Sequence, residues 1–215
     1  MKKVFFAFVL FTLAFTFTSC NSCSKEETNG VTLGATEDVL NVERVVSADR
    51  EYMFANYGSS YVWYETCILL KDYMDDENFD GEISGISNVF QYIEKCSDTT
   101  YDTKVVLIAH VGDTVTYKEV HSFWIEDYPM NDDKIMVTYD MAYNKMMQAN
   151  VVKPHSKYCI LRKEVGPYAC NPQYIFGNLE EQIYVDAVNG NVSAISPAFR
   201  PDTTNNHKLS AFINL

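Results

Sequence analysis

Between Asp76 and Ser84 the chain reads Asp-Glu-Asn-Phe-Asp-Gly-Glu-Ile-Ser, with oxygen-bearing side chains at alternate positions and a glycine at the sixth. That spacing opens a calcium-binding loop, in which alternate side chains and one backbone carbonyl turn inward on a single cation. The candidate metal ligands are Asp76, Asn78, Asp80 and Glu82, the last through its carbonyl, and calcium is the one cofactor considered. A full shell takes about six or seven oxygens, and the place where such loops carry a bidentate Glu falls here on Ser87. The flanking runs are rich in β-branched and aromatic residues or begin with glycine, which disfavours a helix on either side. An acidic hairpin turn explains the same residue types, because Asp, Asn and Gly suit tight loops. Both readings stand at this point.

Other reactive side chains are less organised. His110, His121, His155 and His207 fall at no metal-ligand spacing and are expected to be ordinary hydrogen-bonded or surface histidines. The five cysteines past Cys20 form neither a CxxC pair nor a zinc pattern. Cys159 and Cys170 would face each other in a disulfide only if their hairpin turned near Glu164-Val165, and the turn-forming Gly166-Pro167 lies slightly later. A nucleophilic pair of Cys159 with His121 or His155 has no supporting signature, and there is no G-x-S-x-G elbow or phosphate-binding glycine loop. No catalytic residue is assigned. The aromatic run around Tyr57, Tyr61 and Tyr64 makes those three the candidate binding residues, since Tyr and Trp on a surface anchor partners. Trp63, Phe90, Phe123 and Phe176 are expected in a sheet core, where aromatics are favoured in any case.

The elements that must carry these residues form two successive segments. The first, residues 37–128, opens with a helix capped at Ser47 or Asp49 and stopped by Gly58. Four extended runs follow, "YVWYETCILL", "GISNVFQYI", "KVVLIAHV" and "TVTYKEVHSFWI", the last two joined by a tight turn at Gly112-Asp113. The polar stretch from Glu126 to Lys134 marks a boundary. The second segment, residues 134–200, opens with a helix capped by Thr138, with Asp140 in its first turn and an apolar stripe of Met141, Ala142, Met146 and Ala149. The strands "KYCILRKEV", "QYIFG", "EQIYVDAV" and "NVSAI" follow, and Asn189-Gly190 predicts a two-residue type I′ turn between the last two. The expected class is α+β, each helix packed on antiparallel sheet. Residues 201–215 read as a C-terminal tail.

The formal net charge of −12 and the absence of a basic patch argue against nucleic-acid binding. At the N-terminus, Lys2 and Lys3 precede the apolar run Val4–Phe17, which is too short for an ordinary membrane span. The "FTSC" that follows resembles a bacterial lipobox. That resemblance implies a signal peptide over residues 1–19, acylation of Cys20 and a membrane attachment through its acyl chains, with residues 20–36 as a flexible tether. The location implied is the bacterial cell envelope, at the outer membrane on its periplasmic or surface face.

A second resemblance lies near the C-terminus. "VTYDMAYNKM" and "IYVDAVNGNV" look like the helix start and the closing hairpin of a PepSY-type module, over roughly residues 134–196. The pattern usually has Thr where Asn189 stands, and the middle of the segment does not follow it. The resemblance implies a cystatin-like helix on an antiparallel sheet, a role in binding or restraining peptidases, and no catalytic residues. Because the first segment has the same element order, two tandem modules of this kind are a further expectation. The functional expectation is a non-catalytic envelope lipoprotein that binds a protein or peptide partner, with a peptidase as one such partner. The alternatives are a lipid-anchored immunity protein whose acidic charge suits a basic toxin, and a carbohydrate-binding surface lipoprotein.

Overall fold

The computed structural model describes residues 28–31, 40–71, 80–95, 101–121, 123–124, 127–130, 133–149, 157–177 and 182–199; for 28–31, 94–95 and 101 it describes the backbone alone. Helix α1 spans Val42–Tyr57. Asn41 caps it, its side-chain oxygen accepting the Arg44 N–H at 2.9 Å, and Glu43 lies in the positive first turn. Gly58 ends it, adopting φ 83° and donating its N–H to the Phe54 carbonyl at 3.1 Å. The expected caps Ser47 and Asp49 both lie inside the helix. Val42, Val45 and Val46 extend the buried stripe upstream of them, so the helix begins where those side chains reach the core, and Asp49 is itself on the buried face.

Among the described residues, ten strands make one open antiparallel sheet. They are β1 (Thr28–Val31), β2 (Val62–Leu70), β3 (Ile83–Lys95), β4 (Tyr101–Val111), β5 (Thr114–Val120), β6 (Asp127–Tyr128), β7 (Tyr158–Glu164), β8 (Gln173–Gly177), β9 (Gln182–Asp186) and β10 (Val192–Ser193). Nine of them follow the order β1-β5-β4-β3-β2-β7-β8-β9-β10. The short β6 pairs with β7 at Lys163 and Glu164, beyond Arg162, where β2 leaves off. Helix α2 (Tyr139–Gln148) precedes β7. Each helix therefore introduces a four-strand meander, and the two meanders meet through their first strands, β2 against β7, with Cys67 opposite Ile160 at the centre of that seam.

The tether expected over residues 20–36 is in part structured: Thr28–Val31 lies along β5 from Lys118 to Val115. The β5 edge would otherwise present an unpaired row of backbone donors and acceptors, and β1 covers it. The Gly112-Asp113 turn forms as expected, with Gly112 at φ 55°. The β9–β10 hairpin forms through a wider loop than a type I′ turn. The Asp186 carboxylate accepts the N–H groups of Val188 and Asn189, winding residues 187–190 into a four-residue loop that Gly190 closes at φ 74°. Ala187 at its start also accepts from Met136 and Val137, which docks the entry to α2.

Both helices cover the same face of the sheet. Trp63, Ile68, Phe90, Ile108, Leu161 and Phe176 belong to one buried cluster with Val46 and Met53 of α1 and Ala142 and Met146 of α2. Each such large apolar side chain contributes about 1.5–3 kcal/mol on burial. Thr138 caps α2 as expected, accepting from Met141 at 3.3 Å. The stripe it buries is shifted, however: Tyr139 is inside and Met141 is 47% exposed. The Tyr139 hydroxyl donates to the Gly81 carbonyl at 2.7 Å, a partner that holds the residue inward. On the opposite face Val89, Val105 and Leu107 form a smaller cluster under Val120 and Trp124. Phe123, expected in the core, is half exposed on the connection beyond β5.

Candidate binding groove and tyrosine stack

Residues at helical spacing along α1, namely Glu43, Val46, Ser47, Arg50 and Phe54, form one wall of a groove of about 650 Å³. Asp133 and Ile135, in the connection before α2, form the other wall, and Trp63, Phe90, Leu161 and Tyr174 of the sheet make the floor. The volume is in the range of ligand sites, where mostly apolar linings carry a few polar groups. A bulge positions the floor. Trp63 pairs with Phe90 and Glu65 with Val89, so Tyr64 is an extra residue that lets Trp63 and Thr66 share one face. The indole N–H of Trp63 then donates to Thr66 Oγ1 at 3.1 Å and to the Glu65 carbonyl at 3.2 Å. Above it, the Arg50 guanidinium lies 5.6 Å from the ring centroid. At the rim Phe54 is 68% exposed, Asp133 pairs with Lys163 at 3.0 Å, and Glu43 accepts the Tyr139 N–H at 2.7 Å.

Tyr61, which also lines the groove, belongs to a tyrosine stack in which it lies face to face with Tyr92 while the other rings meet tilted or edge-on. Its ring meets Tyr57 at 5.2 Å and Tyr92 at 5.4 Å; Tyr57 meets Tyr52 at 6.4 Å, and Tyr52 meets Tyr117 at 4.6 Å. All five rings are partly exposed. Burial, followed by the nearby carboxylate of Glu119, pushes the Tyr61 hydroxyl up to about 12, and the Tyr57 hydroxyl is raised by burial, by Tyr52 and by Glu119. Of the three tyrosines singled out from the sequence, Tyr57 and Tyr61 come together here. Tyr64 does not: it sits at the bulge, 8% exposed, and offers little surface.

Beneath α1 runs a polar chain that the sequence analysis missed. His110 Nε2 lies 2.9 and 3.0 Å from the two carboxylate oxygens of Asp49, and Asn88 Nδ2 donates to Asp49 Oδ2 at 2.7 Å. Thr66 Oγ1 donates to Asn88 Oδ1 at 2.5 Å. The signal was present. Asn88 alternates with Ile86 and Phe90, and His110 with Val106 and Ile108, so both are polar residues at core-facing positions, and Asp49 interrupts the apolar stripe of α1. The chain pins α1, and with it one groove wall, to β2, β3 and β4. On the far face Arg162 is held in a similar way. Burial works against its charge, but Asp127 at 3.5 Å, Glu164 at 2.7 Å and Glu65 at 4.0 Å together raise its pKa.

The remaining candidates fall elsewhere. Asp76, Asn78 and Cys20 lie outside the described residues. Asp80 Oδ1 accepts the Glu82 N–H at 2.9 Å, as a turn residue does, and the Glu82 carboxylate pairs with Lys71 at 2.9 Å. The Glu82 carbonyl accepts the Lys71 N–H at 2.8 Å. Among the described residues no group of three or more His, Cys, Asp or Glu is placed to hold a metal ion. Cys67, Cys159 and Cys170 are free thiols. The Cys159–Cys170 bridge, which required a turn near Glu164-Val165, is not made: β7 runs on to Glu164 and the chain returns only at Gln173, which puts Cys159 opposite Phe176 in the core. Cys159 is fully buried and His121 exposed, which separates that nucleophilic pair. No protein-family model, curated protein or solved structure matches the chain.

Proposed function

We propose that the chain is a non-catalytic binding protein of the bacterial cell envelope, tethered to a membrane through acylated Cys20, and that the groove beside α1 receives a segment of a protein or peptide partner. The observation that carries this reading is the groove itself, about 650 Å³ over an aromatic floor, continued at Tyr61 by partly exposed aromatic rings. Aromatic and arginine side chains around a desolvated pocket are the composition of binding hot spots. Two tandem cystatin- or PepSY-like modules are supported by the repeated order of one helix and four meandering strands. A peptidase held in check is the partner class that goes with such modules.

The test is photo-crosslinking in the producing cells. A photoreactive residue at Ser47 or Phe54, on the groove wall, should capture the same protein, while one at Val111, exposed on the β4–β5 hairpin, should not. Identification of that protein as a peptidase whose activity rises when this chain is deleted completes the proposal. Identical capture from all three positions, or none from the groove, refutes it.

A further inference from the structure

The tyrosine stack differs from the groove in its electrostatics. Tyr52 and Tyr57 come from α1, Tyr61 from the entry to β2, Tyr92 from β3 and Tyr117 from β5, so separate elements converge to assemble it. Ring faces carry negative charge density, and a cation above them is attracted by it. Among the described residues, the carboxylates of Glu119 and Asp102 act on the Tyr61 hydroxyl, and Lys104 stands opposite Tyr92 across the β3–β4 pair. Lys104 lies 3.8 Å from Glu119 across the β4–β5 pair, both side chains about one-third exposed, so water weakens that pair. The stack thus combines partly exposed rings with flanking carboxylates, on a chain of net charge −12.

We propose that the Tyr52–Tyr57–Tyr61–Tyr92–Tyr117 stack docks a cationic segment of a protein partner, its arginine or lysine side chains lying across the ring faces with Glu119 and Asp102 answering their charge. This rests on the reading of the adjoining groove as a site for a protein or peptide, and names the chemistry of the partner's second contact. An acidic segment would meet carboxylates of its own sign.

The probe is an Arg-Gly-Arg-Gly-Arg peptide, with its lysine and glutamate counterparts, titrated calorimetrically into the full-length protein in a non-ionic detergent. The arginine and lysine peptides should bind, with affinity falling as salt rises, and the glutamate peptide should not. The double variant Tyr57→Leu/Tyr61→Leu should weaken the arginine peptide about tenfold, and Tyr57→Phe/Tyr61→Phe, which keeps both rings, should stay within about twofold. Glu119→Gln should weaken it about threefold, while the charge-matched Asp140→Asn on α2 leaves it unchanged.

Equal binding by the Leu variant, equal losses from Glu119→Gln and Asp140→Asn, or binding of the glutamate peptide would each overturn the proposal. So would binding of a neutral oligosaccharide in place of the peptides. Because the crosslinks are placed at Ser47 and Phe54, they can survive when this proposal fails, which separates it from failure of the groove.

Discussion

Asn88 joins the two halves of the buried chain under α1, and Asn88→Ala should destabilise the fold by about 3–5 kcal/mol. Asp49 is 2% exposed, and one of its oxygens accepts from Asn88 at 2.7 Å. Losing a hydrogen bond to a buried charged group costs about 1.5–3 kcal/mol. The Thr66 hydroxyl, which has no solvent exposure, loses the acceptor it reaches at 2.5 Å, for about 1 kcal/mol more, and the missing amide leaves a small void. Urea unfolding followed by circular dichroism measures the total. With a slope of about 2 kcal/mol per molar urea, the midpoint should fall by roughly 2 M with the slope unchanged. A double-mutant cycle with Asp49→Ala sharpens the result: without the carboxylate to satisfy, Asn88→Ala should cost less, giving a coupling of about 1–3 kcal/mol. A midpoint shift below about 0.5 M, or strictly additive single costs, would refute the argument that these side chains act as one buried unit.

Three further outcomes are expected. Gly81 sits at φ 80°, and a Cβ there would lie 2.6 Å from the Tyr143 ring, whereas at Gly190 (φ 74°) it would meet only the movable Lys145 side chain; Gly81→Ala should therefore cost about 2 kcal/mol or more and Gly190→Ala about 1, both read from thermal unfolding. Burial, with Glu119 beside Tyr61 and Glu164 beside Tyr184, moves both phenols up to about 12 in the fold. Unfolded phenols ionise near pH 10, so from about pH 10 to 12 the folded chain keeps protons the unfolded chain has lost; the stabilisation is complete below pH 10 and is lost as pH rises toward 12, which parallel titrations of 295 nm absorbance and of urea stability would detect. Burial also pushes the Cys159 thiol well above its ordinary range, so Cys159 should resist a disulfide reagent at pH 8 in the native chain and react once urea unfolds it, with Cys159→Ser identifying its share of the signal.

Legibility divided according to how far apart the cooperating residues lie. Thr138 as a cap, Gly58 as a helix stop and the Gly112-Asp113 turn each act within a few residues, and each was readable. The start of α1 was misplaced because Ser47 and Asp49 are good cap residues in isolation, and only the packing of Val42 and Val45 extends the helix past them. Tyr57 and Tyr61 were identifiable as candidates because they are neighbours in sequence. Tyr92 and Tyr117, which complete the stack, and Trp63, Leu161 and Tyr174, which floor the groove, reach it from strands far apart in the chain.

By itself, the sequence determined a helix followed by strands, twice over, because alternation, caps and turn residues are local chemistry between groups already held close by the backbone. The tertiary structure alone decided that β2 would meet β7, that residues 28–31 would cover β5, and that Asp49 would find Asn88 and His110. The physical reason is that strand edges present the same backbone donors and acceptors everywhere. Which edges pair, and which polar side chains become buried together, is settled only when two helices and one continuous sheet face exclude water from the same core.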